Sequence, residues 1–329
     1  MLVTGASGFV GRWVAHFLTR AGAELYLPAR DCAAAKKTFL EYDIEGKIFK
    51  ADLLDTDRFQ RSIGEIAPVV TFNLAGYGVD RSERSEQLAY QINTLLPEKI
   101  CQAVAEIKAH DKWRGPRLVH AGTAMEYGAM SGDLREDSPT RATTLYGRSK
   151  LAGTEAVVSV CTRKSLAAVT ARLFAIYGPG ESTERLLPTL IAAAAKRAGH
   201  IELTAGRHKR DFTYVEDVAG ALLRLGVSDC QPGDIVNVAT GTLTPVRSFV
   251  QAASKLLGIT EDRLSFGSLT TRPEEMDHDP VNIGRLLELT GWRPETNLND
   301  GLRRTLTERR TGEAGRSSGQ TRREVCELF

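Results

Sequence analysis

Tyr146 and Lys150 stand four residues apart in "TLYGRSKLAGTE". On a helix that spacing puts both side chains on one face. An ammonium beside a phenol stabilises phenolate and lowers a pKa whose reference value is about 10. Such a phenol can give or take a proton near neutral pH. A Tyr-x-x-x-Lys pair is common by chance, so it needs company. Thr123, in "VHAGTAMEYG", ends an apolar run, where a hydroxyl can hydrogen-bond a substrate oxygen that gains or loses a proton. Asn93, in "YQINTLL", is a further candidate, for a backbone or water contact that organises the site. Its alternative is a helix residue with no part in chemistry.

These residues need a scaffold, and the chain opens with one. "MLVTGASGFVGRWVAHFLTRAG" places Gly5, Gly8 and Gly11 between an apolar start and a helical pattern. Glycine costs roughly 1 kcal/mol against alanine inside a helix, so three so close imply a backbone that approaches something. Strand, tight glycine turn and helix N-terminus together suit a dinucleotide pyrophosphate. The end of the second strand then selects the cofactor. An acidic residue there accepts from a ribose 2′-OH, whereas an arginine pairs with a 2′-phosphate. "LYLPARDC" offers Arg30, with Asp31 only afterwards, which favours NADP(H) and leaves NAD possible. A solvated arginine beside Asp31 is the alternative. "ADLLD" places Asp52 where a carboxylate can meet the adenine amino group, and "NLAGYG" offers Ala75 and Gly76 as small residues along the cofactor.

Short apolar runs alternate with amphipathic stretches. Strands are expected at Leu2–Thr4, "AELYLP" from Ala23, "KIFKAD" from Lys47, "PVVTFNLA" from Pro68, "RLVHAG" from Arg117, "AAVTARL" from Ala167 and "DIVNVAT" from Asp234. Helical patterns, such as Trp13–Ala21 and Gln87–Ala109, lie between most of them. The alternation predicts a doubly wound α/β fold with a parallel sheet covered on both faces. The closing "ERRTGEAGRSSGQTRREVCELF" is polar and poor in apolar anchors, which predicts a disordered tail over 308–329.

With 329 residues, 42% hydrophobic and 26% charged, the chain reads as an ordinary soluble globular protein. A net charge of +2 gives no electrostatic case for nucleic acid or an acidic membrane. No apolar run approaches the roughly 20 residues that span a bilayer, and no signal peptide is visible. Cys32, Cys101, Cys161, Cys230 and Cys326 are scattered without a C-x-x-C pair, which reads as reduced thiols in a cytoplasmic protein. The six histidines form no metal-ligand spacing.

Taken in order, "TGASGFVG", "DL" at Asp52, "NLAGYG", "GTAMEYG", "YGRSK", "RLFAIYGPG", "RDFTYVEDVAGAL", "VNVATG" and "RPEEM…LLELTGWRPETNLNDGL" resemble the extended short-chain dehydrogenase/reductase family, in its nucleotide-sugar epimerase/dehydratase branch. The likeness runs from Leu2 to about Thr307. It implies a Rossmann domain over 1–175 and 210–245, a smaller substrate lobe over 176–209 and 246–307, and a homodimer. It implies a cofactor site at Gly5, Ser7, Gly8, Phe9, Val10, Arg30, Asp52, Leu53, Ala75, Gly76 and Asn93, with Tyr146 and Lys150 reaching the nicotinamide ribose. Tyr146 becomes the acid/base, Lys150 its partner and Thr123 the hydroxyl of the triad, and Thr123, Arg210 and Arg272 the contacts to a nucleotide-diphosphate sugar. Guanidinium forks suit a diphosphate.

The departures bear on the reaction. Family dehydratases follow the Ser/Thr with Asp-Glu, and related decarboxylases use the Glu. Here Ala124 and Met125 follow, and neither moves a proton. Glu126, one position on, is expected to point elsewhere if the segment is extended. The Asn common after "RLF" is Ala175, which implies an unusual sugar or orientation. Only Met1 to Val3 precede Thr4, fewer than the family usually has. A 4-ketoreductase using NADPH is the first expectation and a 4-epimerase with bound NAD the second. A reductase of a non-nucleotide carbonyl compound and a non-catalytic NAD(P)-binding protein stand behind them.

Overall fold

The computed structural model describes residues 1–79, 82–108, 110–129, 132–196, 198–271 and 278–311, the side chains of the last four excepted. Twelve strands are present among them: β1 (Leu2–Thr4), β2 (Tyr26–Ala29), β3 (Lys47–Lys50), β4 (Thr71–Asn73), β5 (Leu118–Thr123), β6 (Ala168–Leu173), β7 (Ala175–Tyr177), β8 (Ile201–Leu203), β9 (Lys209–Tyr214), β10 (Pro232–Val238), β11 (Leu243–Pro245) and β12 (Leu264–Phe266). Seven form one sheet in the order β10-β6-β5-β4-β1-β2-β3. Every pairing in that sheet is parallel. Each of the seven overlaps an apolar run marked in the sequence. The inner strands β1, β4 and β5 are buried along their whole length and read as continuous apolar stretches.

Two cores cover the two faces. On one, helices Phe9–Arg20 and Val215–Leu225 bury Trp13, Phe17, Leu18, Val218 and Leu222. On the other, helices Thr56–Ile66, Leu96–Glu106 and Leu145–Lys164 bury Ile63, Ile100, Val104 and Val157. Strand order reverses between β1 and β4, and a crevice at that switch point is the usual ligand site of such sheets.

The remaining strands make a three-stranded sheet, β11-β9-β7, and the pair β12-β8. A third core lies here, with Phe212 stacked on Phe249 at 4.2 Å between ring centroids. These strands are mostly three residues long, too short to announce themselves by periodicity. The expected tail falls largely at 312–329, outside the described residues, as do Arg272 and Cys326.

Candidate functional site

The opening turn is built around close backbone approach. Gly5 has φ +68°, and a Cβ there would lie 2.7 Å from the Leu74 carbonyl carbon. A Cβ on Gly11 would run into the Gly5 carbonyl oxygen. Gly8 N–H donates to that same oxygen at 2.8 Å and begins helix Phe9–Arg20 without a side-chain cap. The helix therefore leaves its first N–H groups, at Phe9 and Val10, to an outside acceptor. Ser7 and Gly8 are exposed, and their carbonyls accept from Arg12 at 2.9 and 3.0 Å. This cradle fits a dinucleotide pyrophosphate, by its uncapped amides and by the space its glycines leave.

The flanks of the cradle are placed as follows. Thr4 Oγ1 accepts from Ala75 N–H at 3.3 Å and donates to Asn73 Oδ1 at 2.7 Å, tying the ends of β1 and β4 together. Gly76 is exposed, with the Lys150 side chain 3.6 Å from where its Cβ would be. Arg30 is exposed just past β2 and forms no hydrogen bond or ion pair among the described residues. Its neighbour Asp31 is occupied: its Oδ1 caps the next helix, accepting from Ala33 and Ala34 N–H. Asp52 is exposed and turns one oxygen onto Leu54 N–H at 3.0 Å. Leu53 packs on the second core.

Tyr146 and Lys150 lie on helix Leu145–Lys164, which Thr144 caps by accepting from Gly147 N–H at 3.0 Å. Two glycines let this helix come close. A Cβ on Gly147 would sit 2.5 Å from the Met125 carbonyl oxygen, and one on Gly153 would strike the Asn93 carbonyl. The approach at Gly147 brings the Tyr146 helix against the turn that follows Thr123 at the end of β5. Thr123 itself caps the turn Ala124–Glu126, accepting from Met125 N–H at 3.3 Å.

Asn93 is fully buried. Its side chain accepts from Tyr77 N–H at 3.0 Å and donates to the Tyr77 carbonyl at 2.7 Å and to Ser149 Oγ at 2.9 Å. It locks the segment after β4 onto the Tyr146 helix, which uses up its hydrogen-bonding groups. The uniform helix expected over Gln87–Ala109 is instead Glu86–Tyr90, a π turn Gln91–Leu95 and Leu96–Glu106. The π turn carries Asn93, and such insertions recur at functional sites.

The electrostatics correct one expectation. Lys150 is buried and its Nζ donates to the Ala121 carbonyl at 2.9 Å. Burial pulls its pKa down to about 8, against the pull of Glu126. Burial likewise pushes the Tyr146 phenol up to about 12, opposed by the Thr123 hydrogen bond and by Arg185. The depressed phenol pKa expected from the spacing is therefore not found. The Lys150 ammonium is engaged with the Ala121 carbonyl, and desolvation is the largest effect on the phenol.

Glu126 does turn away from the site, but for another reason than an extended chain. It sits in a 3₁₀ turn, fully buried. Oε1 accepts from Thr123 N–H at 2.9 Å and Thr154 Oγ1 at 3.1 Å, while Oε2 pairs with Arg172 Nε at 2.9 Å. Beneath Lys150 lies a further network. Asn73 Nδ2 meets His120 Nδ1 at 3.1 Å, and burial with Lys150 nearby holds the imidazole well below its ordinary pKa. Sequence spacing gives no sign of these long-range partners. Arg210 is half-buried on β9, where it pairs with Thr244 of β11. Next to it, buried Asp211 holds the loop after β10, accepting from Thr240 N–H at 2.8 Å and Thr242 N–H at 3.1 Å. Arg272 lies outside the described residues. No group of three or more metal-ligating side chains occurs among the described residues, and no helix there is long and apolar enough to cross a membrane.

Known proteins resemble the chain in sequence and fold. The chain is 29% identical over 322 residues to dTDP-6-deoxy-L-talose 4-dehydrogenase (NAD(P)(+)) of Kitasatospora kifunensis, covering 94% of this chain and 95% of that one. It is 26% identical over 321 residues to dTDP-glucose 4,6-dehydratase of Xanthomonas campestris, covering 93% and 91%. The crystal structure of UDP-glucose 4-epimerase from Thermotoga maritima, with UDP-glucose, superposes with a TM-score of 0.81 at 18% identity, over 94% and 98% of the two chains, and shares the fold. The model of the NAD dependent epimerase/dehydratase family matches residues 1–239, and with the glycine cradle, the seven-stranded parallel sheet and the Tyr146–Lys150 helix in place, the chain belongs to that family, an NAD(P)-dependent enzyme group of the extended short-chain dehydrogenase/reductase type.

Proposed function

We propose that the chain transfers a hydride to the keto carbon of a nucleotide-diphosphate sugar, acting as a 4-ketoreductase. The observation that carries this reading is the close approach of the helix bearing Tyr146 and Lys150 to the turn at Thr123, where Gly147 leaves room for the Met125 carbonyl. A bound reduced nicotinamide supplies the hydride. Tyr146, protonated at neutral pH, gives its proton to the carbonyl oxygen as that oxygen becomes a hydroxyl. Thr123 holds the same oxygen in line. Lys150 keeps a positive charge near the developing alkoxide and anchors the nicotinamide ribose. The relative whose name is a 4-dehydrogenase of a dTDP-sugar supports this direction of chemistry.

The turn after Thr123 separates this reaction from dehydration. Ala124 and Met125 supply no acid or base there, and Glu126 is committed to Arg172. A 4-epimerase needs the same Thr123, Tyr146 and Lys150 and is the second reading; Ala124 and Met125 fit it equally. For both, the lobe over 176–209 and 246–307 takes the nucleotide sugar, with Arg210 and Arg272 toward its diphosphate.

The cofactor separates the two readings. Arg30 is exposed, and Asp31 is spent on a helix cap, which leaves the guanidinium to meet a 2′-phosphate. A charge-assisted contact contributes roughly 1.5–3 kcal/mol. Titrating both dinucleotides against wild type and Arg30→Ala should show NADP(H) weakened about tenfold or more, with NAD(H) little changed. Tight NAD binding with none of NADP in the wild type would reject the reductase in favour of the epimerase.

A further inference from the structure

At the opposite end of the central sheet, a cavity of about 460 Å³ opens beside the N-terminal ends of β4 and β5. Its volume is in the range of small-molecule sites. Arg117, the residue before β5, lines it and is only 8% exposed. A buried guanidinium ordinarily sits against a carboxylate. Arg117 makes no ion pair among the described residues. Its Nη1 donates to the Ile107 carbonyl at a long 3.4 Å, and its Nε is buried with no hydrogen-bond partner. Burial alone lowers its pKa, with no anion pulling the other way.

The walls match that unmet charge. Exposed Lys108 and Lys112 add two cations and His110 an imidazole, against the single acid Asp111. Buried Pro68 and half-buried Val69 give an apolar wall. A guanidinium fork with flanking ammonium groups binds phosphate or carboxylate oxygens, and the apolar wall covers a carbon skeleton. The glycine cradle lies at the other ends of the strands, so this cavity is no extension of the dinucleotide crevice.

We propose that the cavity is a second ligand site, taking a small organic anion whose phosphate or carboxylate pairs with Arg117. Lys108 and Lys112 draw the anion in at the rim, and the Arg117 guanidinium pairs with it at the floor. The test is calorimetry with two probes, inorganic phosphate and citrate, on the full chain with its dinucleotide site filled. At least one probe should bind in the millimolar range or tighter. Binding by phosphate alone assigns a phosphate ligand, and binding by citrate alone a polycarboxylate. The double variant Lys108→Ala/Lys112→Ala, whose changes lie at the exposed rim, should weaken that binding about tenfold, and Arg117→Met should abolish it. Arg30→Ala should leave it unchanged. Absence of heat from both probes at about 10 mM, or wild-type affinity in the double lysine variant, would overturn the proposal.

Discussion

Tyr146→Phe should bind dinucleotide as the wild type does and lose turnover by a factor of about 10²–10⁴ or more. The substitution keeps the ring that Gly78 faces, where a Cβ would lie 3.3 Å from Tyr146 Cδ2, and removes only the phenol hydroxyl. The helix should stay in place, because Gly147 and Gly153 set its approach and neither contacts the phenol oxygen. Steady-state rates with a keto-sugar nucleotide, beside fluorescence titration of the dinucleotide, separate the two effects. Wild-type turnover in the variant would remove Tyr146 from the chemistry. Loss of dinucleotide binding equal to the loss of rate would make it a structural residue.

Glu126→Ala should cost about 3–5 kcal/mol of folding stability, because it strands the buried Arg172 guanidinium. Arg172 is 3% exposed and Glu126 is fully buried. Arg172 would keep its bond to the Glu136 carbonyl at 3.0 Å, its place over the Tyr127 ring at 4.5 Å and the longer-range pull of the Glu136 carboxylate, but it would have no ion pair among the described residues. Thr123 N–H and Thr154 Oγ1 would lose an acceptor as well. Urea unfolding of the single variant and of Glu126→Ala/Arg172→Met measures this. The double variant should recover part of the loss, since replacing both partners removes the uncompensated charge. A single variant as stable as wild type would show that the pair contributes nothing to the turn that holds Thr123.

These two residues also mark what the sequence discloses. Tyr146 was legible because its partner Lys150 is local and one helical turn away, and because Thr123 closes an apolar run. The glycines were legible because the crowding of Gly11 against Gly5 is a local constraint that excludes a side chain. Glu126 was not legible. Its carboxylate finds Arg172 46 residues later in the chain, and only the sheet pairing of β5 with β6 brings them together. The same holds for Asn73 and His120 on neighbouring strands β4 and β5. The role of Asn93 was half legible. It was marked as an organising residue, but the π turn that aims it at Tyr77 and Ser149 leaves no trace in apolar periodicity. The direction of the Tyr146 shift was misread because charge is written in the sequence and desolvation is not. Burial depends on the whole fold around the group.

The central claim is that hydride passes between a dinucleotide and a carbonyl carbon of a nucleotide-diphosphate sugar, with no loss of water. The direct test supplies the full chain with dinucleotide deuterated at the transferring position and a set of 4-keto sugars on UDP, dTDP, CDP and GDP. Products are read by mass spectrometry and proton NMR. Deuterium is expected on the former carbonyl carbon of one of these sugars, with one oxidised dinucleotide formed for each sugar reduced. A dehydrated product, or no labelled sugar from any of the four nucleotides, would contradict it.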